Sequence, residues 1–119
     1  MTEYRKLNVW QEAMSLTEEV YRVTTALPST EPFGLVTQMR RSSVSIPSNI
    51  AEGCGRSGDP ELARFLQIAM GSASELEYQL LLAHDLHFLA DSEHERLSTD
   101  VTEVKRMLAS FIQKLKADR

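Results

Sequence analysis

Residues 38–56 read QMRRSSVSIPSNIAEGCGR, a segment with helical spacing and a helix breaker inside it. Leu35, Met39, Ile46 and Ile50 recur at the intervals that place side chains on one face of a helix. Pro47 sits within that pattern. It lacks the amide hydrogen that would bond to the carbonyl four residues back, and its ring presses on that carbonyl. The Ser43 carbonyl is therefore expected to be strained and the helix axis bent. Ser42, Ser43, Ser45 and Ser48 offer local hydrogen bonds in compensation, and their small size lets a neighbouring helix come close. The reading is a kinked core helix that begins near Pro32, with Glu31 at its entry, and ends at the glycines at 53, 55 and 58.

Three more helices follow from the same periodicity. The first spans residues 7–25 and carries two apolar seams side by side: Leu7, Trp10, Met14, Thr17, Tyr21 and Thr24, then Val9, Ala13, Leu16, Val20, Val23 and Leu27. Pro28 stops it. The third opens with Asp59 as N-cap, Pro60 at the first helical position and Glu61 against the positive helix end. Its heptad seam is Leu62, Leu66, Ala69, Ala73, Leu76, Leu80, Ala83, His87 and Ala90, with Phe65, Leu82, Leu86 and Leu89 as a second strip. At about 1.5 Å per residue it approaches 45 Å. The fourth begins at Asp91 or Ser92 and reaches Lys116, with Leu97, Val101, Val104, Leu108, Phe111 and Leu115 facing inward and Lys105, Arg106 and Lys114 facing water. With no strand alternation, the expected fold is all-α: an antiparallel up-down-up-down four-helix bundle forming one domain over residues 1–119, with helix 2 kinked at Pro47.

A chain of 119 residues, 42 % apolar and 25 % charged, suits one such domain with a modest core. Cys54 is the lone cysteine, so an intrachain disulfide and a CxxC motif are excluded; it reads as an exposed structural residue in a loop. No segment has the apolar length of a signal or membrane span, and a cytoplasmic protein without membrane contact is expected. The formal net charge is −4. Residues 1–58 and 91–119 are each balanced, so the excess acid lies on residues 59–90. Nucleic acid could therefore meet a local patch at most.

Chemistry-bearing groups are sparse. His84, His87, Asp91 and His94 would share one face if helix 3 ran that far; as ligands they suit zinc, and otherwise they form a polar helix end. The paired Glu-x-x-His motifs of a di-iron bundle are absent. No serine lies in a G-x-S-x-G elbow or a Ser-x-x-Lys pair. The Gly-Cys-Gly-Arg-Ser-Gly run lacks a P-loop ending, and Asp59 and Glu61 would repel phosphate. No enzyme activity and no cofactor are expected. Arg40, Arg41 and Arg56 are the candidates for RNA contact, since guanidinium groups fork onto phosphates and stack on bases. Alternatively Arg40 or Arg41 pairs with Glu52, Glu75 or Glu77 and fixes helix 2 against helix 3 or against another subunit. The doubled seams on helices 1 and 3 suit burial against other copies, or simply both flanks of one core stripe.

The segment quoted above, together with LNVWQEAMSLTEEVY, the turn LPSTEPFGL and the later GSASELE, resembles the four-helix-bundle proteins encoded in intervening sequences of bacterial 23S rRNA genes. The resemblance covers residues 7–89. It implies a homopentamer, five bundles in a ring, and it marks Pro47, Asn49, Glu52, Gly53, Ser72 and Glu75 as family-motif positions that hold the kink and interface in register. It supplies no catalytic residues. It implies a scaffold or adaptor whose partners are its own copies and another protein. The related bundle proteins that assist reverse transcriptases of diversity-generating retroelements imply instead an RNA-associated accessory, though they carry a basic surface and this chain is acidic.

Overall fold

The computed structural model describes residues 2–27 and 34–117. A 3-10 turn at Tyr4–Lys6 leads into α1 (Asn8–Thr25), α2 (Leu35–Cys54), α3 (Asp59–Asp85) and α4 (Asp91–Ala117), and no strand occurs among the described residues. α2 packs on α1 and most extensively on α3, while α4 packs on α3 and α1. The assembly of helices measures 47 × 21 × 21 Å, with one apolar column along its length.

Of the two seams on α1, the one running through Val9, Ala13, Leu16, Val20 and Val23 is core. The other divides: Thr17 and Thr24 are buried, Trp10 is half-buried, and Met14 and Tyr21 are exposed. α2 starts at Leu35, after Gly34 adopts a left-handed backbone with φ 65° that glycine takes without steric penalty. The features assigned to Pro28, Glu31 and Pro32 lie outside the described residues. Pro47 is an internal residue of α2, which continues across it to Cys54.

Asp59 is the first residue of α3 and not its cap; Gly58 takes the cap position, and no side chain caps the helix. Asp59 and Glu61 still place acidic charge in the first turn, where it complements the helix dipole. The α3 seam is buried from Leu62 through Ala83. It does not continue to His87 and Ala90, because the helix ends at Asp85. Phe88 N–H donates to the Ala83 carbonyl (2.9 Å) and His87 N–H to the His84 carbonyl (3.0 Å), closing the helix end with His87 at φ 66°. This is the Schellman arrangement, with histidine where glycine is usual. On α4, Ile112 is core and Phe111 only half-buried, so the inward stripe shifts by one residue near the C-terminal end. The drift of a 3.6-residue helix against a 3.5-residue repeat accounts for that shift.

Candidate functional site

The carbonyl that Pro47 deprives of a partner is met from another helix. Thr17 Oγ1, buried on α1, lies 2.9 Å from the Ser43 carbonyl and 2.8 Å from the Ala13 carbonyl, and shares its single proton between them. Ser43 bonds back to the Arg40 carbonyl (2.9 Å), but Ser42 and Ser45 reach across to α3. Compensation for the proline is thus tertiary, where local serine bonds were expected.

The α2–α3 seam joins most of the family-motif positions. Ser42 Oγ donates to Glu75 Oε1 at 2.7 Å, and the Ser45 and Ser72 hydroxyls lie 2.8 Å apart. Asn49 Nδ2 donates to the Ser45 carbonyl (2.8 Å) and contacts Ser45 Oγ (3.0 Å). At Gly53 the helices approach so closely that an added Cβ would stand 2.8 Å from Phe65 Cβ and 3.0 Å from Leu62 Cδ1. Glu52 lies off this line and pairs with Arg56 at 2.8 Å.

The three candidate arginines do not converge within one chain. Arg40 Nε donates to Thr24 Oγ1 (2.8 Å) and Nη2 to Thr25 Oγ1 (3.3 Å), with its guanidinium 4.7 Å from the centre of the Tyr21 ring. It clamps α2 to α1. Arg41 is exposed and makes no ion pair or hydrogen bond among the described residues. Arg56 follows α2, roughly 22–24 Å from the other two along the helix axis at 1.5 Å per residue, held by Glu52 and lying 5.1 Å from the centre of the Phe65 ring. Neither Arg40 nor Arg41 pairs with Glu52, Glu75 or Glu77: these carboxylates take Arg56, Ser42 and Lys105 respectively.

The histidines assigned to one face are split by the end of α3. His84 Nε2 lies 2.6 Å from Asp91 Oδ1, and the His84 and His94 rings stack with centroids 4.4 Å apart, while His87 is turned away by its left-handed backbone and exposed. The hydrogen bond to Asp91 raises the His84 pKa, and the same contact lowers that of Asp91. Among the described residues no group of three or more His, Cys, Asp or Glu is arranged to hold a metal ion. Cys54 is buried at the end of α2, not exposed in a loop, and burial pushes its thiol pKa up, away from the reactive thiolate.

Among the described residues, besides a hollow of about 440 Å³ between the start of α1 and the end of α4, two apolar surfaces lie on the helices with surplus seams. One is a groove of about 320 Å³ between α1 and α2, lined by Tyr4, Trp10, Met14, Val44, Pro47 and Ala51. The second is on α3, where Ile68, Tyr78 and Leu81 are exposed at separate points along the helix. Sequence reasoning found the surplus seam on α1 but missed Thr17 as a donor, and it missed Tyr21 as the seat of Arg40. No helix among the described residues is long and apolar enough to cross a membrane.

No curated protein matches the chain in sequence. Among solved structures, a protein of unknown function from the S23 ribosomal protein family of Bacteroides thetaiotaomicron superposes with a TM-score of 0.81 at 25 % identity, covering 87 % of this chain and 97 % of that one. The model of the family described as 23S rRNA-intervening sequence protein matches residues 5–110. That match contains the proline-bearing α2 and the whole α2–α3 seam, and the chain belongs to the 23S rRNA-intervening sequence protein family.

Proposed function

We propose that the chain is a non-enzymatic scaffold or adaptor that works as a homo-oligomer, an up-down-up-down bundle with α2 bent at Pro47 and copies arranged in a pentameric ring. The observations that carry the reading are the uncovered α1–α2 groove and the exposed apolar side chains of α3, Tyr78 foremost. They are different patches on one chain. Contact between unlike patches is head-to-tail, and such contacts close into rings when the rotation permits. The number five comes from the family resemblance.

Size-exclusion light scattering tests it: a five-fold mass is expected, and a monomer at micromolar concentration overturns it. Tyr78→Glu on α3 and Met14→Glu in the groove should each abolish the ring. Mixing the two variants should restore one intact interface per pair and give dimers; a mixture that stays monomeric rejects the head-to-tail arrangement.

A second reading, an RNA-associated accessory, is favoured by Arg41, exposed and without an ion pair or hydrogen bond among the described residues. Nucleic acid co-eluting with native protein, lost on charge reversal at Arg40 and Arg41 with the oligomer intact, would select it.

A further inference from the structure

A polar cavity of about 400 Å³ opens between the N-terminal half of α2 and the middle of α3, lined by Thr37, Gln38, Arg41, Ser42, Glu75 and Gln79. That volume lies within the range of small-molecule sites, roughly 300–1,000 Å³. Three observations there go unused by the assembly reading. Gln79 is only 2 % exposed, and its Oε1 accepts no hydrogen bond. A buried amide oxygen without a donor is unfavourable and uncommon in folded chains. Ser42, buried beside it on the cavity wall, gives its proton to Glu75 Oε1, which leaves Ser42 Oγ and Glu75 Oε2 as acceptors. Arg41 and Glu75 carry opposite charges on the rim of the same cavity, yet they do not form an ion pair.

We propose that this cavity binds a small zwitterion with the chemistry of a free α-amino acid. Its ammonium group has three N–H donors, for which Ser42 Oγ and Glu75 Oε2 are acceptors at the wall, and a rotation of the Gln79 side chain, whose Oε1 is closed to a water-sized group in this conformation, supplies the third. Its carboxylate meets the Arg41 guanidinium, whose planar fork suits two carboxylate oxygens. Thr37 and Gln38 border the space left for a side chain. A ligand of one charge satisfies half of the site and faces a like charge in the other half, since an anion meets Glu75 and a cation meets Arg41. The inference does not depend on the oligomeric state.

The test is calorimetric titration of the full-length chain at neutral pH with the common L-α-amino acids one at a time, and with acetate and methylammonium as single-charge controls. Saturable binding of at least one amino acid is expected at one site per chain, with neither control binding. Arg41→Gln and Gln79→Leu should each weaken that binding by at least about tenfold, the order of one hydrogen bond to a charged group, with helical circular dichroism retained. Arg41 is exposed, so its variant carries the test even if Gln79→Leu fails to fold. Absence of binding by every amino acid overturns the proposal. So does equal binding of acetate, unchanged affinity in Arg41→Gln, or a crystal soaked in amino acids that holds only a water at Gln79.

Discussion

The α2–α3 seam and the α1–α4 seam run along one bundle but are closed by different chemistry. Between α2 and α3 the contacts are short: a serine to a carboxylate, a serine to a serine, and a glycine against Phe65. Between α1 and α4 the closure is ionic. Glu19, Arg22, Glu93 and Arg96 form a four-membered ring of ion pairs at 2.7–3.2 Å, with side chains 32–56 % exposed. Small residues bring backbones together and fix the register of two helices, whereas long exposed side chains hold a wider gap that water and salt weaken. The first seam should therefore be intolerant of added volume and indifferent to salt, and the second the reverse.

The largest effect is expected where the tight seam is tightest. Gly53→Val must displace Phe65 or Leu62, and overpacking of this kind costs about 1–3 kcal/mol; urea unfolding should show it. Gly71→Ala on α3, where an added Cβ meets nothing within 4 Å, should instead stabilise the isolated chain by up to roughly 1 kcal/mol through helix propensity. If both glycines behave alike, close approach is not what distinguishes the seam.

Thr17→Val comes next. It leaves the Ser43 carbonyl buried without a donor, an effect of about 1–3 kcal/mol. In a Pro47→Ala background the residue-47 amide can bond that carbonyl, so the same substitution should be milder, and a double-mutant cycle reads the difference. Equal effects in both backgrounds would mean that Thr17 does not serve the proline.

In the ionic seam, the Glu19→Gln and Arg96→Gln cycle should give a coupling of only about 0.2–1 kcal/mol. That coupling should shrink as salt rises, since charges are screened over about 10 Å at 0.1 M. Salt-insensitive coupling would make the two seams alike.

The smallest effect belongs to the corner between α3 and α4. The raised His84 pKa means that its contribution to stability is fully present below the unfolded value, about 6.5, and is lost as pH rises through the higher folded one. Asp91, with a lowered pKa, contributes above its unfolded value, about 3.9, and loses that contribution as pH falls through the lower folded one. His84→Gln should thus differ most from the parent chain between about pH 4 and 6.5. Asp85 on the other side of the ring acts in the same direction, and the His94 ring stacks on the His84 face. A pH-independent difference would show that the contact is only steric.

Much of this architecture was legible from spacing. The stripe from Leu62 through Ala83, and its counterpart from Leu97 to Leu108, are buried as their periodicity implies. The end of α3 was not, because His87 takes a left-handed conformation that its residue type does not advertise. The family-motif residues were legible as positions but not as partners. Ser45 and Ser72 are far apart in sequence, and only the stagger of α2 against α3 makes them neighbours. Arg40 likewise lies on the side of α2 that meets α1, and it leans on Tyr21 when carboxylates on α2 and α3 were the expected partners.

Periodicity, proline and glycine placement by themselves determined four helices and most of their inward faces, because these depend on backbone sterics and on the 3.6-residue turn. Only the tertiary structure decided which donor reaches the Ser43 carbonyl, that Arg41 makes no ion pair among the described residues and that Gln79 is buried without a hydrogen-bond partner at its Oε1. Those outcomes depend on the rotation and axial offset of one helix against the next, and many residues on every helix set these jointly.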